Sequence, residues 1–112
     1  IYGVVYEANR AACQAARPGV TGEQLDSVAR DAITRAGFGE YFTHRTGHGL
    51  GLAIHEEPYI VQGAKKPLEA GMVFTIEPGV YIPSVGGVRI EDDLALAGDG
   101  HLVLTAFPRE LA

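Results

Sequence analysis

Apolar positions change their period along this chain, and the change divides it. Over residues 2–17, Val5, Ala8, Ala12 and Ala16 recur at helical spacing, while Glu7, Arg10, Gln14 and Arg17 take the opposite side. This pattern predicts a helix, and Pro18-Gly19 ends it. Thr21 followed by Gln24 has the form of a capping box. Leu25, Val28, Ala29, Ala32, Ile33 and Ala36 then form one face of a second helix. Glu23 and Asp26 near its start and Arg35 near its end suit the macrodipole, and Gly37 supplies the stop. Both helices read as scaffold.

Beyond Gly39 the helical period is lost. Gly47, Gly49 and Gly51 argue against a helix, so Tyr41-Phe42-Thr43 and the histidine stretch after it read as extended. Met72–Ile76, Val80–Ile82, Val88–Leu96 and Leu102–Thr105 read as strands, with turns at Gly79, Pro83, Gly86-Gly87 and Asp99-Gly100. Two helices followed by an antiparallel meander predict an α+β fold, with residues 1–112 forming one domain.

Composition narrows the function classes. The balance of 46% hydrophobic to 21% charged residues is that of a globular chain, not a disordered one. Acidic side chains outnumber basic ones by 14 to 9, and Lys65-Lys66 is the only adjacent basic pair, which argues against a nucleic-acid partner. Cys13 is the one cysteine, so an internal disulfide is excluded; a reducing, cytoplasmic setting is expected, with Cys13 in the core. The apolar runs fall far short of a membrane span. The first residue is Ile1 rather than Met, and the expectation is that the chain is part of a longer protein.

The candidate chemistry sits in the glycine-rich half. His44, His48 and His55 fall within one short stretch, whereas His101, beside a turn, reads as structural. In an extended segment His44 and His48 share a face, and Gly47 and Gly49 leave backbone room for an ion or substrate. A glycine-rich turn with incidental histidines is the alternative. Glu77 closes an apolar strand, on the face of Thr75. Arg89 and Glu91 project to one side, as a plain ion pair or with Arg89 orienting a metal-binding carboxylate. Asp92 and Asp93 read as turn or network residues. One imidazole and two carboxylates from separate segments suit a hard-to-borderline divalent ion.

These segments resemble a known family. Gly47-His48-Gly49-Leu50-Gly51, His55-Glu56, the run from Gly71 to Gly79 containing Ile76-Glu77-Pro78-Gly79, and Gly87-Val88-Arg89-Ile90-Glu91-Asp92 are similar to the Xaa-Pro aminopeptidase/prolidase branch of the methionine aminopeptidase-like metallopeptidases. The resemblance runs across nearly the whole chain. It implies the C-terminal part of a pita-bread (creatinase/aminopeptidase-like) fold, whose two divalent ions (Mn, Co or Zn) hold a bridging hydroxide. By position it implies His48, Glu77 and Glu91 as metal ligands. His44 and His55 would contact substrate, Arg89 would steer Glu91, and Glu77 would pass a proton to the leaving amine. The substrate implied is a peptide with proline at its second position, and the longer protein would be a homo-oligomer.

The family site also uses two aspartates upstream of the first helix, and none precedes it here. The expectation is therefore that this chain alone binds at most one metal ion, weakly, lacks turnover, and self-associates through surface the missing half would cover. A peptide-binding module without catalysis and a metal-independent amidinohydrolase of creatinase type are the other readings of the fold. Retention of His48, Glu77 and Glu91 argues against both.

Overall fold

A computed structural model describes residues 1–51 and 56–106 of the chain. The first helix, α1 (Tyr2–Ala15), stops short of the predicted end. Ala16 is already extended at φ −75° and ψ 119°, and Pro18 disfavours helical geometry at Arg17. The second, α2 (Gly22–Arg35), begins with both bonds of the capping box: Gln24 N–H donates to Thr21 Oγ1 at 3.0 Å, and Thr21 N–H donates to Gln24 Oε1 at 2.9 Å.

Seven short strands follow: β1 (Gly47–Gly49), β2 (Glu56–Ile60), β3 (Val73–Ile76), β4 (Gly79–Ile82), β5 (Gly86–Arg89), β6 (Asp92–Ala97) and β7 (Gly100–Val103). Five form one antiparallel sheet in the order β2-β1-β3-β6-β7, while β4 and β5 form a separate ribbon. The class is α+β as expected, but the connectivity is not a plain meander. Residues 88–96 do not make one strand, because the ribbon leaves the sheet between β3 and β6 and the chain breaks at Ile90 and Glu91. Ile90 N–H donates to Pro78 O at 3.3 Å, closing the ribbon's base. The segment before the histidines is not uniformly extended either: Gly39–Tyr41 forms a 3₁₀ turn.

The core lies between helices and sheet. Val5, Ala8, Ala12, Leu25, Ala29 and Ile33 from the helices meet Ile60, Phe74, Ile76 and Leu94 from the strands, all without solvent exposure. Each large aliphatic side chain so buried contributes about 1.5–3 kcal/mol. Cys13 belongs to this core. Alternation along β3 sends Phe74 and Ile76 one way and Thr75 and Glu77 the other, which places the glutamate away from the helices. At the far edge, Leu102 and Leu104, on and just past β7, are 60% and 57% exposed. Among the described residues no helix is long and apolar enough to cross a membrane.

Candidate metal centre

Three neighbouring segments converge where β3 ends. Thr75, fully buried, accepts a hydrogen bond from His48 N–H at 3.1 Å and donates from Oγ1 to Glu77 Oε2 at 2.7 Å. Glu77 N–H donates to Thr46 O at 2.6 Å. One hydroxyl and one peptide thus tie β1 to the glutamate. The glycines flanking His48 serve this contact rather than opening space for a ligand. A Cβ on Gly47 would strike the Thr75 carbonyl, and one on Gly49 the Glu57 carbonyl, so both admit neighbouring backbone.

The His48 ring is oriented from both ends. Its Nδ1 lies 3.0 Å from Gly49 O, and a carbonyl only accepts, so Nδ1 carries the hydrogen. Nε2 stands 3.1 Å from Glu77 Oε2. A ring lone pair facing a carboxylate oxygen needs a proton or a cation between them. Donors bound at about 2.1 Å and at right angles around one ion stand about 3.0 Å apart, so this pair fits a divalent cation. Glu91 is the third candidate. Partial burial, then the negative charges of Glu77 and Asp93, push its carboxyl above the usual value; Arg89 and His48 oppose this more weakly. The residue as a whole keeps solvent access, so its carboxyl is crowded rather than sealed. Asp93 Oδ1 nearby is buried with no hydrogen-bond partner among the described residues. Among the described residues, no three His, Cys, Asp or Glu side chains stand together as a ready metal site. Glu91 is therefore close enough to feel Glu77 and His48, but a shared ion would have to draw it in.

His44 reaches the same place by a different route from that expected. It lies on a bend before β1, not on the strand, yet with His48, Glu77 and Arg89 it lines one cleft of about 690 Å³. Its Nδ1–H donates to Arg45 O at 2.7 Å, which leaves Nε2 to accept from Tyr81 Oη at 2.8 Å. Sequence reasoning missed Tyr81; its one signal was a phenol on the strand just after Glu77-Pro78-Gly79. The ring lies over Gly87, where a Cβ would meet Tyr81 Cδ1 at 2.5 Å. Arg89, half exposed, places Nε 3.9 Å from Glu77 Oε1, so its ion pair here is with Glu77; toward Glu91 it acts by charge alone.

Asp26, read from the sequence as suiting the start of the second helix, proves to be an anchor. It is 2% exposed, accepts from Arg30 Nε at 3.0 Å and Nη2 at 3.1 Å, and from Thr46 Oγ1 at 2.7 Å. Arg30 donates onward to Phe42 O and His44 O, each at 2.9 Å. Helix α2 thereby fixes the loop that carries His44 and leads into β1 and His48. His101 donates from Nδ1 to Ala16 O at 2.9 Å, a structural role as read. His55 lies outside the described residues.

Known proteins resemble this chain in sequence and in fold. The chain is 57% identical over 111 residues to a Xaa-Pro dipeptidase of Lactobacillus helveticus, covering 99% of this chain and 30% of that protein. The prolidase structure from Pyrococcus horikoshii OT3 superposes with a TM-score of 0.97 at 50% identity, over 100% of this chain and 32% of that one. An X-Pro aminopeptidase structure from Thermotoga maritima MSB8 gives 0.95 at 45% identity, over 98% and 31%. The fold is that of the pita-bread prolidases and aminopeptidases P, and the chain spans about 30% of the length of the curated relatives it matches. Residues 1–97 match metallopeptidase family M24, and the chain belongs to that family.

Proposed function

We propose that this chain supplies the histidine and the two glutamates of a metal-dependent peptidase centre that cleaves Xaa-Pro bonds. The observation that carries the reading is the 3.1 Å approach of His48 Nε2 to Glu77 Oε2, in a ring whose other nitrogen is already committed to Gly49. His48 and Glu77 would hold a divalent ion (Mn, Co or Zn), with Glu91 completing the set. Such an ion supplies Lewis-acid activation of a carbonyl and of water.

The chain's own residues do the rest. Thr75 fixes Glu77 by donating to Oε2, which leaves Oε1, beside Arg89, as the oxygen that takes up a proton and returns it to the leaving amine. His44 lines the same cleft as His48 and Glu77 and would contact the substrate there, its ring held by the Tyr81 hydroxyl. His55 would be a second substrate contact. The substrate proposed is a peptide with proline at its second position, in keeping with the relatives being a Xaa-Pro dipeptidase and an X-Pro aminopeptidase.

Three ligands serve one ion better than two, so the chain by itself binds at most one, weakly, and turns over no substrate. The wider reading places a homo-oligomeric, cytoplasmic enzyme around this segment. Exposed Leu102 and Leu104 beside the β7 edge favour self-association of the isolated chain. Calorimetric titration of Mn²⁺ into the chain and into its His48→Ala variant tests the proposal. One weak site lost with His48 is expected; two tight sites, or binding indifferent to His48, would overturn it.

A further inference from the structure

Helix α1 carries one polar side chain sealed inside the core. Asn9 is 2% exposed, on the same helix face as Val5, Ala8 and Ala12. Burying an amide is unfavourable unless its hydrogen bonds are made, so the bonds it makes say why it is tolerated there. Asn9 Nδ2 donates to Ile76 O at 3.3 Å and to Ile90 O at 3.2 Å. Those carbonyls belong to the residues immediately before Glu77 and Glu91.

The placement matters because the sheet cannot do this work. Ile76 is the last residue of β3, and Ile90 lies between β5 and β6, outside either strand. The ladder between β3 and β6 reaches only to the Ile76–Asp92 pair, and beyond it the chain departs into the β4–β5 ribbon. The β3–β6 ladder therefore ends just where the glutamates begin. An amide nitrogen has two hydrogens, one for each carbonyl. A carbonyl and the next residue's Cα share one rigid peptide plane. Holding the Ile76 and Ile90 carbonyls thus fixes the planes on which the Glu77 and Glu91 Cα atoms lie.

We propose that Asn9 is a positioning residue for the metal centre: its amide ties the backbone ahead of both glutamates and sets their separation. This rests on the reading of Glu77 and Glu91 as ligands. An apolar residue of the same size would fill the space and leave the two segments joined there by the bond from Ile90 N–H to Pro78 O.

The test is Mn²⁺ titration of the 112-residue chain, by calorimetry and by electron paramagnetic resonance of the bound ion, in Asn9→Leu, Asn9→Gln and His48→Ala variants. Leu keeps the volume and removes the donors; Gln keeps the amide. Asn9→Leu should melt near the parent chain yet bind Mn²⁺ about ten- to hundredfold more weakly, and Gln should recover much of the loss. Amide exchange at Ile90 and Glu77 should quicken in Asn9→Leu before any metal is added. Should Leu fail to fold, Asn9→Ala is read in the same way. Parent-like affinity in a folded Asn9→Leu, with binding still lost in His48→Ala, overturns the positioning role and leaves the metal centre standing. Binding that His48→Ala does not disturb removes the metal reading, and this proposal with it.

Discussion

Replacing Asp26 by alanine should cost this fold more than any surface charge could. Its carboxylate is 2% exposed and accepts three hydrogen bonds, two from Arg30 and one from Thr46. Removing one member of a buried pair costs about 3–5 kcal/mol, because the partner's charge is left uncompensated. Arg30 is not wholly stranded: its side chain keeps 32% solvent access, stacks 4.1 Å from the Phe42 ring centre and retains two carbonyl acceptors. Asp26→Ala therefore belongs at the lower end, about 3 kcal/mol. Thr46→Val removes one bond to a charged acceptor, about 1.5 kcal/mol, and the two changes should not add, because they share one carboxylate. Urea unfolding followed by circular dichroism measures each, and for a chain of this size the Asp26 loss lowers Tm by about 12 °C or more. Glu7→Ala is the control, since its 2.7 Å pair with Arg10 lies in solvent and should leave stability unchanged. An Asp26→Ala loss under about 0.5 kcal/mol, the level of an ordinary surface change, would refute the anchor.

Gly47→Ala forces a methyl against the Thr75 carbonyl, a backbone atom that cannot swing aside; about 1–3 kcal/mol of stability and the Mn²⁺ affinity should both fall, read by urea unfolding and calorimetry. Tyr81→Phe takes away the hydroxyl that His44 Nε2 accepts, so the ¹⁵N resonance of that nitrogen should move while stability drops by about 0.5–1.5 kcal/mol; an unmoved resonance would rule the bond out. Glu91 holds its proton more tightly in the fold than in the unfolded chain, for the reasons of burial and repulsion already given. Its contribution to stability is full below the unfolded carboxyl value and is lost as pH rises through the raised one. With a chelator present, Glu91→Gln should flatten that part of the pH–stability curve, and an unchanged slope would count against the crowding.

The parts of this fold legible in the sequence were those with a strong local period. The helices showed themselves through repeated apolar faces and through Thr21 with Gln24, because a capping box is a contact within one turn. β3 showed through its apolar run, and Glu77 through being an acid at the end of that run. β2 did not, since Glu56-Glu57-Pro58 has no alternation and its pairing with β1 depends on residues a loop away. The break at Ile90 and Glu91 was hidden for a related reason: an apolar-polar alternation continues through it, and only the tertiary fold separates ribbon from sheet. The candidate ligands could be named from motif and residue type, but their supports could not. Thr75, Tyr81, Asp26 and Asn9 act through partners 20 to 81 positions away, distances no periodicity spans.

Those supports divide the work between the helices. Asp26 and Arg30 of α2 hold the loop of His44 and Thr46, while Asn9 of α1 holds the backbone ahead of Glu77 and Glu91. The two arms meet where Glu77 N–H donates to Thr46 O and where Thr75 bridges His48 to Glu77. His48 and Glu77 are thus set in place by the fold itself, and an ion binding between them spends little on ordering side chains. Glu91 is the third proposed ligand, and its carboxyl is raised first by burial and then by the charges of Glu77 and Asp93. A divalent cation held by His48 and Glu77 would reverse that balance, because it would offset the Glu77 charge and attract the Glu91 carboxylate. The Glu91 carboxyl, which burial and repulsion raise in the chain by itself, would then be drawn to the ion by its charge.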